Sequence, residues 1–198
     1  MSKDEHLQAS QHITAIILAG GKSSRMGTEK GLVSFNGKRL VEHVIDALKK
    51  ITNNIIIITP NKEYEQFGFP CYADIYKEKG ALGGIYTGLI NSSTQKNIIV
   101  GCDMPFLSQN VLNGLVDNCD DVDVLLTMHK DKEEPLCSVY DKSCASHFKN
   151  LIEAGQLKIT NALTGLKAKT ICFDKEEWFI GTEFTNINTP GQLNDLKI

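Results

Sequence analysis

The feature that most restricts how this chain folds is its first apolar run, Ile13–Leu18, which breaks abruptly into a glycine-rich, basic segment at residues 19–30. An uninterrupted apolar run that ends at glycines is typical of a strand buried on both faces. A basic turn directly after such a strand places charged groups at the edge of a sheet. We therefore predict a functional loop at this point in the chain.

The residue types of this loop suit a bound polyphosphate. Gly20 and Gly21 permit backbone conformations that other residues rarely adopt, and they let main-chain N–H groups approach an anion. Arg25 can hold phosphate oxygens with its planar guanidinium, and Lys30 adds a mobile positive charge. The alternative is an ordinary surface loop with solvated charges. The co-occurrence of these residues after an apolar strand favours phosphate binding.

The glycine spacing differs from the two common nucleotide-binding signatures. The P-loop order G-x-x-x-x-G-K-[ST] is absent, because Lys22 follows Gly21 directly and Gly31 follows Lys30. The G-x-G-x-x-G fingerprint of dinucleotide-binding folds is absent as well. The prediction therefore depends on residue types rather than on a standard motif.

Composition limits the class of protein. A chain of 198 residues with 41% apolar and 23% charged residues suits one soluble domain with a sizeable core. Its net charge of -3 disfavours broad binding to nucleic acids or membrane surfaces, which requires a basic excess. The six cysteines include no C-x-x-C pair and have no zinc-site spacing. We expect neither a nucleic acid nor a membrane as a partner.

The start of the chain differs in character from the rest. Residues 1–12 are polar and have no apolar centre, so we expect a flexible N-terminal tail rather than a signal peptide. One domain is then expected over residues 13–198. No apolar run approaches membrane-spanning length, and we expect a cytoplasmic protein.

Strand patterns and helical patterns alternate through most of the chain. Apolar runs predict strands at residues 13–18, 55–58, 71–73, 98–102, 122–128 and 136–140, the last of them antiparallel. Helical spacing predicts helices at residues 40–48, from about 83 to 89, 108–116 and 145–153, and a short helix opened by Thr189 and Pro190. This alternation predicts a single-domain, Rossmann-like, three-layer α/β/α fold with a mainly parallel sheet and one antiparallel strand.

Two acidic residues follow predicted strands. Ligands of mainly parallel sheets lie beyond the carboxyl ends of the strands, so the glycine-rich loop, Asp74 and Asp103 should meet at one edge. Asp103, at a strand tip, suits Mg²⁺, which prefers a few carboxylates together with substrate phosphates. The alternative is that Asp103 caps the turn before Pro105.

Several other residues permit two interpretations. Asn61 either faces a nucleotide base or ends a strand. Asn188 either reaches toward the metal or shapes the helix entry at Thr189. The charged residues 130–134 are expected to form a solvated loop. The aromatic residues near the C-terminus are expected to cover the core rather than stack on a ligand: Trp178, Phe179 and Phe184.

Motifs along the chain resemble those of bacterial molybdenum cofactor guanylyltransferases, which belong to the nucleotidyltransferases with a GT-A-like α/β fold. The matching segments are Leu18-Ala19-Gly20-Gly21, Ser24-Arg25-Met26-Gly27, Lys30-Gly31-Leu32, Ala73-Asp74, Leu82-Gly83-Gly84-Ile85, Cys102-Asp103-Met104-Pro105-Phe106, Glu134-Pro135-Leu136 and Asn186-Ile187-Asn188-Thr189-Pro190. The resemblance covers nearly the whole chain after residue 12. Ala81 departs from it, because relatives often have proline there.

The resemblance implies a reaction and its partners. GMP would pass from GTP to the phosphate of molybdopterin that carries molybdenum, with Mg²⁺ as cofactor and pyrophosphate as the leaving group. Transient docking with proteins that insert molybdenum and with recipient molybdoenzymes is also implied, and we expect a monomer or a weak oligomer. The implied roles are nucleotide contact for Leu18, Ala19, Gly20 and Asp74, phosphate contact for Lys30, and Mg²⁺ binding for Asp103.

Two other functions stay open at this stage. A sister enzyme would use CTP with molybdopterin or would activate a sugar or polyol phosphate. Related cytidylyltransferases usually carry Leu-Ala-Ala-Gly at the loop, whereas Gly20 and Gly21 follow Ala19 here. A non-catalytic nucleotide or cofactor carrier is the alternative from another class, and Arg25, Lys30 and Asp103 together argue against it.

Overall fold

A computed structural model describes residues 12–20, 29–189 and 191–192 of the chain. The strands are β1 (Ile13–Leu18), β2 (Ser34–Phe35), β3 (Lys38–Arg39), β4 (Ile55–Ile58), β5 (Cys71–Tyr72), β6 (Lys96–Gly101), β7 (Val124–His129), β8 (Lys132–Asp141) and β9 (Ala168–Cys172). The α-helices are α1 (Leu40–Leu48), α2 (Gly80–Asn91), α3 (Gln109–Asn118), α4 (Cys144–Glu153) and α5 (Ile159–Ala162). Short 3-10 helices cover Lys30–Leu32 and Lys62–Phe67.

Seven strands form one sheet in the order β5-β4-β1-β6-β8-β7-β9. Neighbouring strands are parallel except where β8 pairs with β6 and β7. The prediction of a mainly parallel sheet with one antiparallel strand is confirmed. β2 and β3 form a separate small hairpin beside the start of α1.

Helices cover both faces of this sheet because its central strands are apolar on both sides. In β1, Ile17 belongs to a core cluster with residues of α1 and α3, whereas its neighbour Ile16 belongs to a cluster with residues of α2 and α4. All four isoleucines of β4 are buried. The three-layer α/β/α arrangement is thus confirmed, with the sheet as the middle layer.

Local sequence signals determine several element boundaries. The Ser108 hydroxyl accepts a hydrogen bond from the N–H of Val111 and caps α3, a role for which serine is favoured. Gly155, just after α4, adopts a left-handed conformation with φ of 74°, as a helix-ending glycine does.

The aromatic residues near the C-terminus cover the core, as expected. Trp178 and Phe179 are partly buried against it, and Phe184 is buried in it.

Two local predictions were wrong and one strand was missed. α2 begins at Gly80, before the expected start near residue 83, and β9 was not predicted. β9 is an edge strand whose residues are mostly exposed, so it lacks the apolar pattern that marks a buried strand. The charged residues 130–134 form the turn and first part of the β7–β8 hairpin rather than a loop, with Lys130 and Asp131 both at positive φ.

Some predicted features fall on residues that the structure does not describe. These are residues 1–11 of the expected tail, together with Gly21 and Arg25 of the glycine-rich loop. In the described part of the chain, no helix combines the length and apolarity that crossing a membrane requires.

Candidate nucleotide site

The carboxyl ends of β1, β4 and β6 lie side by side at one edge of the sheet. Backbone hydrogen bonds continue past the strands, from the N–H of Ala19 to Ile58 (3.0 Å) and from the N–H of Cys102 to Leu18 (3.1 Å). The glycine-rich loop and the segment that holds Asp103 therefore leave the sheet from adjacent positions. This is the edge at which ligands of mainly parallel sheets bind.

Lys30 joins three distant segments at this edge. Its Nζ lies 2.5 Å from Oδ2 of Asp103 and 2.5 Å from Oδ1 of Asn188. The side chain of Lys30 is 22% exposed and that of Asp103 is 12% exposed. The predicted meeting of Lys30 and Asp103 is thus observed, and Asn188 joins them.

The backbone around Asp103 places its carboxylate. A Cβ atom on Gly101 would lie 2.6 Å from Oδ1 of Asp103, so the missing side chain leaves room for the carboxylate to fold back over the end of β6. This carboxylate bonds to Lys30, and among the described residues it makes no bond to the turn before Pro105.

The side chain of Asn188 meets Lys30 beside the helix entry, and its contact with a metal stays a prediction. The N–H of Ile187 donates to the carbonyl of Asp103 (3.0 Å), which draws this segment against the end of β6. The hydroxyl of Thr189 accepts from the N–H of Gln192 (3.2 Å), as a helix cap does. Helix entry is therefore formed by Thr189 and Gln192, while the Asn188 amide oxygen faces Lys30.

The side chain of Tyr64 packs against the backbone next to Lys30. This fully buried side chain lies under Gly31, where an added Cβ atom would come within 2.4 Å of the tyrosine Oη. Its hydroxyl donates to Oε1 of Glu29 at 3.3 Å. Burial raises the pKa of Glu29, an effect partly offset by this bond. Burial likewise raises the pKa of the neighbouring Cys102 thiol to about 12, so the thiol stays neutral near pH 7.

Asp74 forms the other side of the site, after β5. Its Oδ1 is buried and has no hydrogen-bond partner among the described residues. Burial raises the pKa of this carboxyl group. A Cβ atom on Gly20 would lie 3.7 Å from Oδ2 of Asp74, and one on Gly84 would lie 3.7 Å from Oδ1. The carboxylate thus lies close to Gly20 at the start of the glycine-rich loop, and its unpaired oxygen is suited to accept hydrogen bonds from a ligand.

Asn61 has a structural role. Its Oδ1 accepts from the N–H of Glu63 at 2.9 Å and caps the 3-10 helix that carries Tyr64. Asn61 thus begins this helix, whereas β4 already ends at Ile58. The contact of Asn61 with a nucleotide base stays a prediction. Leu18, Ala19 and Gly20 lie at the sheet edge where they were expected.

Sequence reasoning missed three residues that shape the site: Glu29, Tyr64 and Gly101. Glu29 is next to Lys30 and Gly101 is two residues before Asp103. This proximity is the only sequence feature that could have indicated them. Tyr64 lies far from Lys30 in the sequence and shows no pattern that would connect the two. Its importance follows from tertiary packing alone.

Comparison with known proteins assigns the chain to a family. Residues 15–167 match the MobA-like NTP transferase domain. A probable molybdenum cofactor guanylyltransferase from Flavobacterium johnsoniae is 38% identical over 187 residues, which cover 94% of this chain and 97% of that protein. The chain belongs to the family of MobA-like NTP transferases. A molybdenum cofactor guanylyltransferase from Vibrio vulnificus is 33% identical over 90% of this chain and 91% of that protein.

Solved structures agree with the assignment. Molybdopterin-guanine dinucleotide biosynthesis protein A from Archaeoglobus fulgidus has a TM-score of 0.76 and 28% identity, over 92% of this chain and 95% of that one. Like that family member, the present MobA-like protein has a nucleotidyltransferase fold. The expected GT-A-like nucleotidyltransferase class is thereby confirmed.

Proposed function

We propose that this MobA-like nucleotidyltransferase transfers GMP from GTP to the phosphate of molybdopterin that carries molybdenum. Molybdopterin guanine dinucleotide cofactor and pyrophosphate are the products. The names of its relatives support the substrates. The observation that carries the chemistry is the convergence of Lys30, Asp103 and Asn188 beyond the carboxyl ends of β1 and β6.

The nucleotide binds where the first loop meets Asp74. The backbone of Leu18, Ala19 and Gly20 lines one side, and the unpaired Oδ1 of Asp74 accepts hydrogen bonds from donor groups of the base or the ribose. A buried acceptor without a partner is costly unless a ligand satisfies it. Gly21 and Asn61 are further candidate contacts, the first through its backbone N–H.

The phosphates bind closer to β6. The ammonium of Lys30 and the guanidinium of Arg25 offset the negative charge that collects on the departing pyrophosphate. An oxygen of the acceptor phosphate attacks the α-phosphorus, the bond from that phosphorus to the bridging oxygen breaks, and the electron pair leaves with pyrophosphate. The attacking oxygen is already anionic, so the chain needs no strong general base.

The oxygens at this edge fit a divalent ion. Asp103 and Asn188 offer one carboxylate and one amide oxygen, and together they already hold a cationic ammonium group. Mg²⁺ binds through one or two carboxylates with substrate phosphates and water, and the described residues contain no larger acidic or histidine cluster. Asp103 would hold the ion with Asn188 as a second ligand, and the bound ion supplies Lewis-acid polarisation of the phosphates.

The reaction itself tests the proposal. We expect pyrophosphate release only when the protein is given Mg²⁺, molybdenum-bearing molybdopterin and GTP together, with CTP as the matched control. Release with CTP instead of GTP would identify the sister cytidylyltransferase, and release with sugar or polyol phosphates would identify another acceptor. Binding of GTP and acceptor without pyrophosphate release would indicate a carrier.

The cellular setting follows from this reaction. We infer that the protein acts in the cytoplasm, where GTP is available, and that it docks transiently with proteins that insert molybdenum and with recipient molybdoenzymes. We infer a monomer or a weak oligomer.

A further inference from the structure

The two oxygens suited to a divalent ion are already bound to a positive charge of the chain. Nζ of Lys30 lies 2.5 Å from Oδ2 of Asp103 and 2.5 Å from Oδ1 of Asn188. An ammonium group and a metal ion compete for such oxygens, because both need the same lone pairs and repel each other at short range. Lys30 and the ion therefore compete for Oδ2 of Asp103 and Oδ1 of Asn188.

We propose that Lys30 is a stand-in cation, which means that its ammonium group binds Asp103 and Asn188 when no divalent ion is bound there. Binding of a triphosphate moves the ammonium group onto the phosphates, and the ion then binds Asp103 and Asn188 in its place. This inference rests on the proposed function, because it assumes that the ion and the nucleotide share this edge. Its new content is an exchange of partners by Lys30, which makes binding of the ion conditional on the nucleotide.

The surroundings of Lys30 permit this exchange. Its backbone lies in a closely packed position, since the neighbouring Gly31 packs on the buried Tyr64. Its side chain is 22% exposed, so the flexible four-carbon stem can swing while the backbone stays in place. Triphosphate oxygens accept the ammonium hydrogen bonds that Asp103 and Asn188 give up.

The exchange predicts the energetics of binding. Without a nucleotide, an ion must displace Lys30 into solvent, so it binds weakly. With a nucleotide present, Lys30 gains phosphate partners and the ion gains both protein and phosphate oxygens. The ion and the nucleotide therefore increase each other's binding affinity. Thermodynamic reciprocity requires that each increases the affinity for the other by the same factor.

The test measures binding of Mn²⁺, as a paramagnetic probe of the ion site, by electron paramagnetic resonance without nucleotide or acceptor. Lys30→Met removes the charge and keeps most of the stem, and Lys30→Ala is a second variant in case the first does not fold. We expect the Kd for Mn²⁺ to fall about tenfold or more in either variant, within the usual range of coupling between ligands. Combining either Lys30 variant with Asp103→Asn should abolish this gain in affinity for Mn²⁺.

The matched control is Lys38→Ala. Lys38 also holds a carboxylate at 2.5 Å, that of Asp46, but on the exposed β3–α1 surface. Its loss should leave Mn²⁺ binding within twofold of the parent protein. An unchanged Kd in both Lys30 variants, or an equal gain in Lys38→Ala, would overturn the stand-in role.

A second measurement adds GTP without acceptor, so no transfer takes place. In the parent protein GTP should lower the Kd for Mn²⁺ by about tenfold or more, and in Lys30→Met this factor should shrink. An equal factor in both proteins would refute the exchange. A parent protein that binds no GTP would refute the proposed function instead, and the nucleotide-free comparison would still decide the role of Lys30.

Discussion

At the scale of single residues, one ammonium group connects segments that lie far apart in the sequence. Lys30 precedes Asp103 by 73 residues and Asn188 by 158. Neighbouring residues position both partners of Lys30. Gly101 leaves room for the carboxylate of Asp103, and a backbone hydrogen bond from Ile187 holds the segment of Asn188 against the end of β6. The site is therefore sensitive to small changes at positions that do not themselves contact a ligand.

Removal of either charged group should stop turnover without unfolding the protein. We expect Lys30→Ala and Asp103→Ala to reduce the rate of pyrophosphate release by at least about 100-fold, on the order of 3 kcal/mol in the barrier, because each opposes or positions charge on the phosphates. Thermal unfolding checks that the fold is intact, and Lys38→Ala should keep the parent rate. Near-normal turnover in both site variants would contradict the assigned roles.

Gly31 should tolerate a side chain better when the hydroxyl of Tyr64 is removed. A Cβ atom at residue 31 meets the Tyr64 hydroxyl at 2.4 Å, so we expect Gly31→Ala to lower the free energy of unfolding by about 1–3 kcal/mol. Tyr64→Phe removes the hydroxyl and should lessen this cost in the double variant. Chemical denaturation of the four proteins measures the coupling, and strictly additive losses would show that the contact is not limiting.

At the scale of elements, a polar network joins β6, β8 and the start of α4 at the edge opposite the site. Oδ1 of Asp141 accepts from Gln95 (2.5 Å) and from the N–H of Ser143 (2.9 Å). Nζ of Lys96 lies 3.1 Å from Oδ2. Burial acts to raise the pKa of Asp141, but these hydrogen bonds outweigh it and the pKa is lowered.

This lowered pKa gives a testable pH dependence. A carboxyl group with a lower pKa in the folded state adds stability above its unfolded pKa of about 4, and that stability is lost as the pH falls through the folded value. We expect Asp141→Asn to cost about 1–3 kcal/mol near pH 7, with the gap to the parent protein closing below about pH 4. Urea unfolding across pH 3–7 tests this, and a gap that does not change with pH would exclude Asp141 ionisation as its source.

At the scale of the whole molecule, ligands stabilise the fold that binds them. With Mg²⁺ present, GTP at about 100 times its Kd should add about 2.7 kcal/mol of stability and raise the melting temperature by roughly 5–10 °C. CTP at the same concentration should produce a much smaller shift. A larger shift with CTP would reverse the proposed base preference, and Asp74→Asn should reduce the GTP shift if its unpaired oxygen meets the nucleotide.

Much of the architecture could be predicted from the sequence, because strands and helices depend on short-range patterns. Ile13–Leu18 is apolar apart from the buried Thr14, Ile55–Ile58 is apolar throughout, and both form central strands. Ser108 and Gly155 mark helix ends through their own chemistry. β9 escaped prediction since an exposed edge strand has no such pattern. The charged β7–β8 turn escaped it because pairing of the flanking strands, and not its own composition, holds it in place.

Short-range sequence patterns therefore predict most of the sheet, its covering helices, the glycine-rich loop and the strand-tip position of Asp103. Folding of the whole chain is needed to bring Asn188 to Lys30, to place Tyr64 against Gly31 and to bury an oxygen of Asp74 without a partner among the described residues. The physical reason is range. Periodicity and turn chemistry act over a few residues, whereas these contacts join distant segments and exist only once the strands have aligned their ends.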